Sequence, residues 1–295
     1  LTPGNLNEWL NSQPDGYIGD GRVNWVSISR MTKLAHDLDP TSPKLEYFAS
    51  PAAELSNVLT KDIPAILNLP EPDSPSSTHF VVATDSANLT YAIQDPLHQD
   101  YKTLAPYYDS INRLGYYQPT NSDFSYFVIH TNQEVDMTLF DSANMQAGQT
   151  YLDNPLGNDL GAGSSGPPLR MLLLKTPSQG QYTLDLFSPT NTPFDLHVYL
   201  YDQDGKVKIE QLKGNLLSRK IQKFWLTFDG IDVQNSDVET RYDLLRRHIK
   251  ELYLSGQNKT KMVYKKLLYE ADKVESMTKK GPAGVKVRLG GVLRY

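Results

Sequence analysis

Two periodicities divide the second half of the chain. From Glu134 to Gly230, short runs such as Val135-Asp136-Met137-Thr138-Leu139-Phe140, Leu169-Arg170-Met171-Leu172-Leu173-Leu174, Tyr182-Thr183-Leu184-Asp185-Leu186-Phe187, Asp195-Leu196-His197-Val198-Tyr199-Leu200-Tyr201 and Phe224-Trp225-Leu226-Thr227-Phe228 are separated by turn formers. Period two puts alternate side chains on one face of a strand, so residues 134–230 predict an antiparallel β-sandwich. Beyond Ser236 the spacing becomes helical. Leu244, Leu245, Ile249 and Leu252 form one apolar stripe, with Ser236 as its cap and Glu239 completing a capping box. Met262, Val263, Leu267, Leu268, Ala271, Val274 and Met277 form a second, closed by Gly281-Pro282. Residues 236–278 therefore predict an α-helical hairpin, followed over 279–295 by a basic, glycine-rich tail that reads either as an added strand or as an unordered end.

Ahead of the sandwich, Phe80-Val81-Val82-Ala83 and Tyr91-Ala92-Ile93 flank the turn-forming segment Asp85-Ser86-Ala87-Asn88, the pattern of a β-hairpin. His79 precedes the first run and Asp95 follows the second, so both stand at the open end, where cross-strand neighbours meet. A histidine titrates near neutrality and serves as a general base. A carboxylate on one ring nitrogen fixes its tautomer and stabilises the imidazolium. The plain alternative makes His79 an ordinary strand histidine and Asp95 an Asx-turn residue before Pro96.

Residues 1 to about 118 resemble the bacterial C39-like peptidases, a branch of the papain-like cysteine peptidases. The resemblance is carried by Thr2-Pro3-Gly4-Asn5-Leu6-Asn7-Glu8-Trp9-Leu10 with Gly16-Tyr17-Ile18 and Val23-Asn24-Trp25, by Asp62-Ile63-Pro64-Ala65-Ile66-Leu67, by Thr78-His79-Phe80-Val81-Val82-Ala83 with Ile93-Gln94-Asp95-Pro96, and by Thr103-Leu104-Ala105-Pro106-Tyr107-Tyr108. It implies a papain-like domain over residues 1–131, with His79 as catalytic histidine, Asp95 as the acid that orients it, and a peptide or protein substrate. It also implies a cysteine nucleophile on a helix ahead of the first of these segments. The chain has no cysteine, and no other side chain takes that role by motif. The expectation is a domain lacking its N-terminal helix, with the nucleophile on a separate N-terminal polypeptide or segment. The competing expectation is a non-catalytic surface, structural or adhesive protein that uses a degenerate peptidase fold as a binding module.

Composition narrows the remaining classes. With 295 residues, 39% hydrophobic and 10% aromatic, the chain has enough apolar material for more than one folded core. A formal charge of −5 gives no overall basic field for nucleic acid, and no apolar run approaches the ~18 residues of a membrane span. The absence of cysteine leaves the redox compartment open. Tyrosine richness, polar loops and the resemblance together favour an extracellular or cell-surface location. His36, His98, His130, His197 and His248 lack metal-site spacing, so no metal and no cofactor is expected. Asp141, Asp153, Asn154 and Asp159, and Asp202 with Asp204, form at most a partial calcium pattern and read first as turn residues. The 154–168 loop, rich in glycine and turn formers, reads as mobile. The fold class expected is α+β: a papain-like (C39-like) domain lacking its N-terminal helix, an antiparallel β-sandwich and a C-terminal α-helical hairpin.

Overall fold

The structure, a computed structural model, describes residues 3–19, 21–71, 74–87, 90–108, 110–121, 123–153, 167–255 and 261–279. It is a mixed α+β protein built mostly from antiparallel sheets. The remaining residues of the 154–168 loop and of the tail lie outside the described residues. The first unit comprises α1 (Pro3–Ser12), β1 (Tyr17–Ile18), β2 (Arg22–Val23), α2 (Trp25–Leu38), β3 (Leu45–Ser50), α3 (Leu55–Leu59), β4 (Ala65–Glu71), β5 (Ser74–Ala87), β6 (Thr90–Gln94) and β7 (Arg113–Pro119). Its sheet has the order β3-β7-β4-β5-β6.

Alternation decides which way each side chain of that sheet points. Ala65, Leu67 and Leu69 of β4 pair with Ala83, Val81 and His79 of β5. The apolar members of this set join Leu55, Val58 and Leu59 of α3 with Ile93, Leu104 and Tyr107 in one core. The intervening Phe80 faces the other way, onto Trp25 and the Arg113 guanidinium. The open edge of β3 is closed by α2. The Ser29 hydroxyl accepts from Tyr47 N–H at 2.9 Å, and the Thr32 hydroxyl accepts from Leu45 N–H at 2.8 Å while donating to the Leu45 carbonyl at 3.2 Å. Backbone groups that would otherwise invite a foreign strand are thereby paired.

Gly16 sits where the chain leaves α1 and passes against its last turn. A Cβ there would lie 1.9 Å from the Leu10 carbonyl oxygen, a contact that only backbone displacement relieves. Gly16→Ala is expected to destabilise the protein by about 2 kcal/mol or more, through strain at a closely packed backbone. Chemical denaturation checks this, and an unchanged midpoint would contradict it.

The second unit runs from β8 (Tyr126–Asn132) through β9 (Asp136–Phe140), β10 (Gln146–Ala147), β11 (Gln149–Asp153), β12 (Leu169–Lys175), β13 (Gly180–Phe187), β14 (Thr192–Tyr201), β15 (Val207–Leu216) and β16 (Ile221–Phe228) to β17 (Asp237–Thr240). Two five-stranded sheets, β10-β9-β13-β16-β17 and β11-β12-β8-β14-β15, face one another. Phe127, Ile129, Leu172, Leu196, Val198 and Leu200 from one sheet interlock with Leu139, Tyr182, Leu184, Leu186, Phe224, Leu226 and Phe228 from the other. Two boundaries differ from the expected ones. Tyr126–Asn132, divided off by the sequence with the first 131 residues, is a central strand of this unit because it pairs with β12 and β14. Asp237–Thr240 pairs with β16 rather than opening a helix.

The second sheet is covered on both faces, which explains why β8, β12 and β14 carry near-continuous apolar runs. Tyr126, Val128, Met171, Leu173, Tyr199 and Tyr201 form an aromatic-rich core with Ile18, Val26 and Tyr47 of the first unit. Polar contacts fix this junction. The Tyr201 hydroxyl donates to Asp15 at 3.0 Å and accepts from Asn24 Nδ2 at 2.8 Å, while Arg113 of β7 pairs with Asp153 of β11 at 3.1 Å.

Two helices follow β17. The Thr240 side chain caps α4 (Arg241–Leu254), and Asp243 completes the capping box. The predicted signature thus exists four residues later than Ser236 and Glu239, because the residues between are held in the sheet. Ser236 instead accepts from Asp229 N–H through its hydroxyl. Helix α5 (Lys261–Lys279) lies against α4 through the stacked rings of Tyr253 and Tyr264, 4.5 Å apart. Arg246 pairs with Asp272 and Glu275 across the two helices, and Arg247 pairs with Glu239 and Glu251. Asp141 and Asp202 act as turn residues, their carboxylates accepting the amides of Ala143 and Met145, and of Asp204 and Lys206.

Candidate functional site

His79 lies inside β5, whose ladder begins before it at Ser74, and Asp95 lies immediately after β6. The register pairs Val82 with Gln94. Continued one step, it sets Asp95 opposite Val81, with His79 the next residue on the same face. The structure brings the two side chains together: His79 Nε2 lies 2.8 Å from Asp95 Oδ1. Both are buried, His79 with 4% of its surface exposed.

Four groups converge on the Asp95 carboxylate. Oδ1 accepts from His79 Nε2, from Leu97 N–H at 2.9 Å and from His98 N–H at 2.8 Å; Oδ2 accepts from the Tyr107 hydroxyl. The two roles read for Asp95 in the sequence, turn former and partner of histidine, are filled by the same carboxylate. Burial pushes this carboxyl up. The hydrogen bonds from His98 N–H, Tyr107, His79 and Leu97 N–H outweigh that and hold it below the usual carboxylate range. An ionised carboxylate only accepts, so the neutral imidazole carries its proton on Nε2, leaving the Nδ1 lone pair directed away. Tyr107 is driven well above the usual phenol range by burial and by Asp95, so its hydroxyl remains a donor.

Two further residues complete the site. The Glu71 carboxylate is buried, with Oε1 3.9 Å from His79 Nδ1 and Oε2 3.6 Å from His98 Nε2. The His98 ring stands edge-on to His79 at 5.9 Å and stacks on Tyr101 at 4.8 Å. Sequence reasoning assigned Glu71 no role and set His98 aside. A signal for Glu71 was present, since it continues the alternation Ala65, Leu67, Leu69 and so is an acid at a core-facing position. For His98 the signal was weaker: a turn anchored by Asp95 returns the chain toward the hairpin end.

Comparison of the chain with protein-family models, with curated proteins and with solved structures finds no match. The arrangement supplies an oriented base whose second nitrogen is free of any hydrogen bond among the described residues, in a buried setting rich in aromatic rings. It does not bring a serine or threonine hydroxyl to His79 Nδ1 within hydrogen-bond reach among those residues, and the chain has no thiol.

Proposed function

We propose that His79 and Asp95 are the base and the orienting acid of a papain-like, C39-like cysteine peptidase acting on peptide or protein substrates at the cell surface or outside the cell. The observation that carries this reading is the buried contact of His79 Nε2 with an Asp95 carboxylate that is itself held by two backbone amides and a tyrosine hydroxyl. The resemblance of the flanking segments gives the contact its reaction class. In that reaction a cysteine thiol from outside these 295 residues, on a separate N-terminal polypeptide or segment, gives its proton to His79 Nδ1. The thiolate adds to the substrate carbonyl, and the imidazolium returns the proton to the departing amine. Water then hydrolyses the thioester with His79 again as base, regenerating the thiol. Asp95 keeps the imidazole in the tautomer that leaves Nδ1 free and stabilises the cation formed midway.

A thiol-dependent peptidase activity of the protein isolated with any companion polypeptide is expected to be blocked by alkylation. It should fall at least about 10³-fold in His79→Ala and about 10²- to 10⁴-fold in Asp95→Asn. Hydrolysis that survives in folded His79→Ala would end this assignment. A second reading has its own support: the chain has no cysteine, and a buried carboxylate, Glu71, stands beside the nitrogen that a nucleophile must reach. On that reading the fold is a non-catalytic binding module, and isolated material yields neither a companion cysteine nor alkylation-sensitive hydrolysis.

A further inference from the structure

His79 is almost completely enclosed, yet between cycles its protonation state must equilibrate with solvent. On its Nε2 side the route ends at Asp95, which is surrounded by donors and held ionised. The Nδ1 side is different. There Glu71 Oε1 lies 3.9 Å away, Glu71 Oε2 lies 3.6 Å from His98 Nε2, and the His98 side chain is 33% exposed whereas those of His79 and Glu71 are 5% and 7%. His98 Nε2 is itself buried and makes no hydrogen bond among the described residues. Imidazole, carboxylate and imidazole thus alternate from the interior to the surface. Each gap closes to hydrogen-bond length with a movement of about 1 Å.

Resting on the base assignment of His79, we propose that Glu71 and His98 form a proton relay that connects His79 Nδ1 to solvent. Outward, the proton on Nδ1 passes to Glu71 Oε1. The proton held on Oε2 after carboxyl rotation passes to His98 Nε2, and His98 releases its Nδ1 proton to water. Each step breaks one N–H or O–H bond and forms another, and inward transfer is the reverse. Among the described residues, Asp95, Tyr101 and Tyr107 are the other titratable groups contacting the two imidazole rings. Asp95 acts on the opposite nitrogen of His79, Tyr107 donates to Asp95, and Tyr101 stacks on His98. Glu71 is in this sense a positioning and relay residue.

The relay is tested by measuring exchange with water of the Nδ1-bound proton of the His79 imidazolium, by saturation transfer on the protonated form of the 295-residue chain labelled with ¹⁵N-histidine. Glu71→Gln and His98→Phe are both expected to slow this exchange at least tenfold. A purely structural role predicts the opposite, because a loosened core opens more often and exchanges faster. His98→Phe keeps the ring stacked on Tyr101, and the backbone amide that serves Asp95 is unaffected, so it carries the test if Glu71→Gln does not fold. Exchange within twofold of the parent, or faster, in the folded variants would overturn the relay. Asp95→Ala separates the two proposals: loss of the Nε2-bound proton signal in that variant supports the base assignment whatever the relay variants do, and its persistence unchanged would count against the base assignment alone.

Discussion

Asp15→Ala is expected to cost about 3–5 kcal/mol of folding stability. Asp15 is fully buried and accepts from the Ser27 hydroxyl at 2.7 Å, from Arg30 Nε at 3.2 Å and from the Tyr201 hydroxyl at 3.0 Å. Deleting the carboxylate leaves the Arg30 guanidinium without its counter-charge, with only 15% of its side chain exposed, and leaves the buried Tyr201 hydroxyl without its acceptor. Breaking one side of a buried, hydrogen-bonded pair carries a penalty of that order. The bond to Tyr201 also ties the first unit to the sandwich, so the loss is expected to reach both. Tyr201→Phe, which removes the hydroxyl's two hydrogen bonds, to Asp15 and from Asn24, and keeps the ring, should cost only about 2 kcal/mol. Denaturant titrations of the two variants check the pair, and equal losses would contradict the account of Asp15 as the charged centre of the network.

His130→Phe is expected to remove most of an acid sensitivity that this one residue creates. His130 of β8 is buried, with neither ring nitrogen hydrogen-bonded among the described residues, and stacks on His197 of β14 at 4.4 Å. Burial foremost, then His197, with a smaller effect from Arg22, pushes its pKa down to about 3, against a partial opposing effect of Asp195. The unfolded chain takes up this proton near pH 6.5, whereas the folded chain does so only near pH 3. Stability is therefore fully present above about pH 6.5 and is lost as pH falls toward 3. Between pH 7 and 4.5 the loss from His130 is about 2–3 kcal/mol. Phenylalanine keeps the stacked ring and drops both orphaned nitrogens, so the stability difference between variant and parent should widen by that amount over the same range. A constant difference from pH 7 to 4.5 would show that His130 does not stay neutral in the folded protein.

What the sequence made legible follows from where its signals are local. The sandwich strands with strict alternation, β9, β13 and β16, are each found where period two placed them, because one face of each meets a single apolar core. Strand β15 escaped notice: it is an edge strand whose Lys208, Glu210 and Lys213 interrupt the apolar pattern, as edges commonly do. The run at β8 gave no sign of which unit owned it, since both of its faces are buried, one against each neighbour. At the C-terminal end, Ser236 and Glu239 formed a plausible capping box. Pairing with β16 overrode that local preference and moved the helix start to Thr240. In the site, the hairpin brought His79 and Asp95 within reach as their spacing suggested. Tyr107 and Glu71 were out of view because their relation to His79 depends on sheet register and on the return of the chain after Asp95.

The measurement that bears most directly on the central claim is the ¹⁵N chemical-shift signature of the His79 ring in its neutral form. The account predicts a proton on Nε2, hydrogen-bonded to Asp95, and a bare lone pair on Nδ1, a pattern abolished in Asp95→Ala, which removes the acceptor. A proton on Nδ1, or the averaged tautomers of a solvated histidine, would mean that Asp95 does not orient this ring and that the site is not built to present a base.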